Sequence, residues 1–98
     1  MARPEKIALD VPVAVGTGAP ANVFRFSDVA VQVYGPFKAT VQIEATISGA
    51  DYFPIGTALT TPGVVAIPFT VELIRARVTA FTSGQPLGVA AGLDRRAL

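Results

Sequence analysis

The side chains of this 98-residue chain that could take part in catalysis are seven carboxylates and eight basic groups. The chain has no histidine, the usual general base at neutral pH, and no cysteine, the usual thiolate nucleophile. These two residue types are also the commonest ligands of zinc and other transition metals. The carboxylates are spaced singly, without the clustering of a calcium loop. We therefore predict no catalytic residue, no metal site and no cofactor.

Glu44 and Glu72 are two carboxylates that could act together. Each lies on a long predicted strand, so the two could in principle face each other as the acid and base of a hydrolase. Charges on the outer side of a strand more often keep a sheet soluble. We therefore expect a protein that is not an enzyme.

The basic residues favour contacts with other proteins. Arg75 and Arg77 alternate on a predicted strand, and arginine is enriched at protein interfaces; a solvated outer face is the equal alternative. Arg3 and Lys6 lie in a polar N-terminal arm, residues 1–6, which could reach across to a neighbouring subunit and become ordered on contact. All four are candidate interface residues.

The composition excludes several classes of partner. The net charge of +1 offers no electrostatic attraction for nucleic acid or an anionic membrane. No run approaches the ~20 apolar residues that cross a bilayer, and the start of the chain lacks a secretory signal, so we expect synthesis in a cytoplasm. Charged residues make up only 15% of the chain, against about 25% in typical domains. This low charge suggests that partner subunits cover part of the apolar surface.

Two long strands define the predicted fold. Residues 38–47 alternate in polarity, which predicts a half-buried antiparallel strand. Residues 70–82 alternate too, but with a change of parity that a β-bulge near Leu73 and Ile74 would correct. In the first strand we predict a dry face, buried in the core, and a wet face, exposed to solvent. The dry face consists of Ala39, Val41, Ile43, Ala45 and Ile47, and the wet face of Lys38, Thr40, Gln42, Glu44 and Thr46.

Glycine and proline recur about every ten residues between short strands, and no helical period is present. This spacing is typical of a sandwich or small barrel. We predict a single all-β domain over residues 1–98, an antiparallel β-sandwich, jelly-roll-like, with about eight strands. A C-terminal tail, residues 94–98, follows the last strand.

Two segments resemble a known class of protein. The run from Tyr34 to Gly56 contains G-x-F-x-a-t-v-x-i-e, followed by a glycine turn and aromatic residues. The run from Val71 to Pro86 is similar to the pattern v-x-x-i-R-v-x-v-t-x-y-t-s-G-x-p, with Ala76 and Phe81 at its second v and its y. Together they resemble small virion proteins of tailed bacteriophages, of the head-decoration or capsid-accessory kind. The resemblance covers roughly the C-terminal two-thirds of the chain.

The resemblance implies a non-enzymatic protein on the capsid surface of the virion. Its partners would be the major capsid protein and copies of itself, as a homotrimer, and placement at the neck or tail stays an alternative. The same strand and turn pattern occurs in sugar-binding sandwiches, so a carbohydrate-binding module of a tail or fibre is the other alternative. Those sandwiches carry a tryptophan after the turn, where this chain has Tyr52 and Phe53. We name both aromatic residues as candidate interface residues.

Overall fold

The computed structural model describes residues 4–94; Arg3 of the predicted arm and residues 95–98 of the predicted tail lie outside them. The described part of the chain forms nine β-strands, and none of it forms a helix that could span a membrane. The strands are β1 (Pro4–Leu9), β2 (Gly16–Thr17), β3 (Ala21–Asn22), β4 (Phe26–Tyr34), β5 (Phe37–Thr46), β6 (Phe53–Leu59), β7 (Gly63–Ala66), β8 (Leu73–Gly84) and β9 (Leu87–Asp94).

The strands form two antiparallel sheets that pack face to face. One sheet has the order β1-β9-β4-β7, and the other has the order β2-β8-β5-β6, with β3 also paired to β8. Because β2 and β3 pair with successive parts of β8, they act as two halves of one strand. Counted so, eight strands lie in the orders 1-8-3-6 and 2-7-4-5, which is a jelly roll. The predicted fold class is confirmed.

The two sheets are joined at a corner. Here the chain crosses from one sheet to the other twice, between β4 and β5 and between β8 and β9. The backbone N–H of Gln85 donates to the carbonyl of Pro36 at 2.8 Å, so the β4–β5 and β8–β9 connections lie side by side. Gly84 has a φ of +94°, a conformation that side chains other than glycine rarely adopt. The corner therefore depends on this glycine at the end of β8.

The core lies between the sheets and consists of their inward-facing side chains. Burying such side chains is the main favourable term in folding. The inner face of β5 is confirmed at Val41, Ile43 and Ala45, which are at most 1% exposed. The buried apolar residues are Leu9, Val11, Val23, Phe26, Val29, Val31, Val33, Val41, Ile43, Ala45, Ile55, Val65, Ile67, Val71, Ile74, Ala76, Val78 and Ala90.

The prediction that Ile47 belongs to the dry face is wrong, since this side chain is 62% exposed. The β5 strand ends at Thr46, and its hydroxyl accepts a hydrogen bond from the N–H of Gly49 at 3.0 Å. The hydroxyl of Ser48 accepts from the N–H of Asp51 at 3.1 Å. These bonds turn the chain before Ile47 can continue the alternation.

The predicted wet face of β5 is only partly exposed to solvent. Lys38 is exposed, whereas Thr40 and Gln42 are half-buried and Glu44 and Thr46 are buried. Side chains from the neighbouring strand and from the turn after β5 cover this end of the outer face, as described below. The prediction of a solvated face is therefore wrong at the last two positions.

The predicted bulge in β8 is at the wrong end of the strand. At Leu73 and Ile74 the pairing with β5 is regular, and Val71 reaches the core from the loop before the strand. The register shifts instead at Thr79 and Thr82, which have no partner residue on β5. An extra residue reverses the parity of a strand, so residues on both sides of it can face the core.

Residues 4–6 of the predicted N-terminal arm are part of a strand. Pro4 and Lys6 lie in β1, where they pair with Leu93 and Ala91 of β9. These backbone pairs extend the sheet, so residues 4–6 are not a free arm. Asp94, the first residue of the predicted tail, is the last residue of β9.

Candidate protein interface

The outer face of the five-stranded sheet carries a cluster of charged and aromatic side chains, which we call the arginine site. It consists of Arg75 and Arg77 of β8, Glu44 of β5, and Tyr52 of the turn before β6. Glu44 lies directly opposite Arg75 in the strand register. Side chains two residues apart on a strand share a face, so Arg77 falls beside the same carboxylate.

Arg75 is held from two sides. Its Nε donates to Glu44 Oε1 at 2.8 Å, the length of a strong charge-assisted hydrogen bond. Its guanidinium carbon lies 3.7 Å from the centre of the Tyr52 ring, within the range of a cation–π contact. These contacts cover Glu44 and leave Arg75 with 26% of its side chain exposed. The guanidinium is therefore fixed in position before any partner binds.

Arg77 is the group of this site that is free to reach a partner. Its Nη1 lies 3.6 Å from Glu44 Oε2, a long ion pair, and 54% of its side chain is exposed. It borders a shallow groove between β2 and β8 that is also lined by Val15 and Thr17. Val15 is 67% exposed. An exposed arginine beside an exposed apolar side chain is a combination that protein interfaces use.

The other predicted interface residues lie elsewhere. Phe53 sits opposite Ala45 of the inner face, and its ring packs on Phe69 with centroids 5.7 Å apart. Lys6 is exposed on β1 in the other sheet. Of the predicted interface residues within residues 4–94, the structure brings together Tyr52, Arg75 and Arg77.

Glu44 is the member of the arginine site that sequence reasoning missed. The two carboxylates considered for hydrolysis do not face each other, because Glu44 pairs with Arg75, while Glu72 precedes β8 and its N–H donates to the Thr46 carbonyl. Within residues 4–94, no three acidic side chains lie close enough together to hold a metal ion. The alternating side chains of the two strands showed that Glu44 and the two arginines point out of the sheet. The sequence did not show the register between β5 and β8, which places Glu44 opposite Arg75.

The two arginines are expected to differ in their effect on stability. Arg75→Met removes the short bond to a buried carboxylate and should lower the free energy of unfolding by about 1–3 kcal/mol. Arg77→Met removes a long, exposed ion pair and should change it by less than about 0.5 kcal/mol. Urea denaturation of the two variants measures the difference. Equal losses would show that Arg75 does not stabilise Glu44.

Comparison with known proteins finds a structure of the same fold but does not assign the chain to a family. Neither a family model nor a curated protein matches the sequence. Among solved structures, the crystal structure of the SPBc2 prophage-derived protein YomS superposes with a TM-score of 0.79. The superposition covers 96% of this chain and 96% of that one, at 9% sequence identity. At this identity the likeness shows a shared fold along nearly the whole chain.

Proposed function

We propose that this chain is a virion structural protein of a bacteriophage, which decorates or stabilises the capsid through protein–protein contacts and without catalysis. The observation that carries the proposal is the likeness of 96% of the chain to a prophage-derived protein. The partner would be the major capsid protein, and the site of action the capsid surface, after synthesis in the host cytoplasm. Neck or tail placement is the nearest alternative.

The exposed apolar side chains agree with a role in assembly. Jelly rolls occur in viral capsids, and apolar surface left open on a single subunit marks contact sites when it forms patches. Among the described residues, the large apolar side chains that are 41–67% exposed are Val13, Val15, Phe24, Tyr34, Ile47, Val64, Phe69 and Leu87.

We assign the capsid contact to the arginine site. Arginine and tyrosine are the residue types that most often dominate binding energy at interfaces. Arg75 is already ordered by Glu44 and Tyr52, so little side-chain entropy would be lost on binding. Arg77 would then donate to carboxylate or carbonyl oxygens of the capsid protein.

The sugar-binding alternative has weaker support. Sugars stack on an open aromatic face, but the Arg75 guanidinium covers one face of the Tyr52 ring at 3.7 Å. Phe53, the other aromatic residue after the turn, packs on Phe69. A glycan array without binding would remove this alternative; specific binding that is lost in Tyr52→Ala would favour it over the capsid role.

The location of the protein tests the proposal directly. Particles of the phage that encodes this chain are purified on a density gradient and analysed by mass spectrometry and electron microscopy. We expect the chain in the particles, in a fixed ratio to the major capsid protein, with density on the head. The proposal would be overturned if the chain were found only among the unassembled proteins of the lysate. Density on the neck or tail would show that the protein acts there and not on the capsid.

Particles that lack the protein test the arginine site. Purified protein is added back to particles of a deletion phage, and its occupancy is measured by sedimentation. Arg77→Ala should weaken binding by about 10-fold to 100-fold, because an interface arginine is lost. Lys38→Ala, which removes another exposed cation from the same sheet, should bind like the unchanged protein. Equal binding by both variants would exclude the arginine site as the contact.

A further inference from the structure

The outer face of the four-stranded sheet is apolar, in contrast to the arginine site on the opposite side of the molecule. Val31, Val33 and Ala90 point into the core and are 0% exposed, so their neighbours along β4 and β9 point outward. We call these outward residues, with those beside them on β1 and β7, the alanine–valine face. Its members are Ala8, Ala30, Gln32, Tyr34, Val64, Ala66, Leu87, Val89 and Ala91.

These side chains form continuous rows across the sheet. In one row Ala8, Val89, Gln32 and Val64 are neighbours on β1, β9, β4 and β7. In the next row along, the same strands contribute Lys6, Ala91, Ala30 and Ala66. Cross-strand neighbours lie about 5 Å apart, so the apolar groups form one patch and are not scattered.

An apolar outer face is unusual for an antiparallel sheet. Such sheets normally have one face in the core and a polar face in water. Here the polar groups of the face are the Gln32 amide and the Tyr34 hydroxyl, Lys6 is a charge at its β1 edge, and Val64 is 63% exposed. Contiguous apolar surface of this kind marks an interaction site.

We infer that the alanine–valine face binds the same face of a second copy of this chain, across a two-fold axis. The charge distribution allows a self-contact: the one charged side chain in the two rows is Lys6 at the β1 edge, so two identical faces repel each other little near a two-fold axis through their centre. A glutamine amide both donates and accepts hydrogen bonds, so Gln32 can pair with the Gln32 of the second copy. The inference does not depend on the proposed capsid role.

The size of the face limits the affinity of such a pair, and its shape allows close approach. Four strands with about 4.8 Å spacing and about 3.4 Å per residue give a face of roughly 15–20 Å in each direction. Two such faces would cover roughly 450–800 Å² in total, which is less than the ~1,000 Å² that stable specific interfaces exceed. The alanine side chains are short, so two sheets can approach to the usual ~10 Å. We therefore expect a weak dimer that forms only at high protein concentration.

The predicted homotrimer requires a different arrangement. A closed three-fold ring joins two different patches of each copy, whereas one flat face pairs with itself across a two-fold axis. A trimer in solution would therefore overturn face-to-face pairing. The homotrimer stays a prediction, and the measurement of the oligomeric state described next also tests it.

Analytical ultracentrifugation of the full chain tests the inference. We expect a concentration-dependent species of twice the chain mass of 10.1 kDa. Val64→Lys places a charge in the face and should raise the dimer dissociation constant by about 100-fold. Ile47→Lys is the matched control, because its 62% exposure equals that of Val64 within one per cent and it lies outside the sheet. Circular dichroism and thermal melting show whether each variant is folded.

A charge pair at Gln32 gives a second readout that a folding defect cannot imitate. Gln32→Lys and Gln32→Glu proteins should each be monomeric, and an equimolar mixture should form dimers, because opposite charges then meet near the axis. The inference would be overturned if the measured mass stayed at the 10.1 kDa of one chain at all concentrations up to about 1 mM, where even weak pairs associate. A dimer that persists in folded Val64→Lys but is lost in Ile47→Lys would also overturn it. Binding of capsid proteins by a face that remains monomeric would assign it to that partner instead.

Discussion

Gly84→Ala is expected to lower the free energy of unfolding by about 3–5 kcal/mol, a large part of the ~5–15 kcal/mol that stabilises a typical domain. A Cβ at this position would overlap the carbonyl oxygen of Pro36 and lie 2.5 Å from the Cα of Phe37. Both atoms belong to the backbone of the corner, so no rotation of a side chain can relieve the contact. The φ of +94° adds its own cost for a residue with a side chain.

Gly49→Ala separates these two costs. Its φ of +89° is nearly the same, but the added Cβ would meet only the flexible end of the Glu72 side chain, at 3.0 Å. This variant should lose about 1–2 kcal/mol, the cost of the left-handed conformation alone. Thermal and urea denaturation of both proteins measure the difference. Equal losses would show that the sheets at the corner can move apart and that the close approach to Pro36 is not required.

Ile43→Ala should lower the free energy of unfolding by about 3–4 kcal/mol. Ile43 is 1% exposed and lies in the middle of β5, between β6 and β8, where its side chain contributes to the core. Truncation removes buried methyl and methylene groups and leaves a cavity that a rigid sheet fills poorly. Denaturation in urea measures the loss.

Ile47→Ala is the comparison that distinguishes the structure from the sequence pattern. Alternation places Ile43 and Ile47 on the same face, and equal losses would follow from it. The structure leaves Ile47 62% exposed beyond the end of the strand, so its truncation should change stability by less than about 0.5 kcal/mol. A loss above 2 kcal/mol would mean that Ile47 is buried in solution, by the core or by another subunit.

Much of the fold could be predicted from local sequence. The alternation in residues 38–46 defines β5, and the recurrent glycine and proline residues mark its neighbours. These signals are local, because the direction of a side chain on a strand depends only on the parity of the residue. They fail where the backbone changes path: at the hydroxyl-bonded turn after Thr46, and at the extra residues Thr79 and Thr82 in β8.

The arginine site required the tertiary structure. Glu44 and Arg75 are 31 residues apart, and their 2.8 Å bond depends on the register between β5 and β8. A shift of one residue would move Arg75 to the other face of the sheet. The sequence shows two arginines on one face of a strand, but not the carboxylate and the ring that hold Arg75 in place, nor the long ion pair that leaves Arg77 more than half exposed.

The sequence by itself determined that this chain is all-β, carries little charge, and has neither histidine nor cysteine for the commonest catalytic and metal chemistry. It also contains the signal for the alanine–valine face, since β9 is apolar at both parities, as in a strand that is covered on both sides. Only the tertiary structure placed β1, β4 and β7 beside β9 and joined their small outward side chains into one surface. The physical reason is that the composition of a strand is local, whereas the surface of a sheet is formed by strands that are distant in the chain.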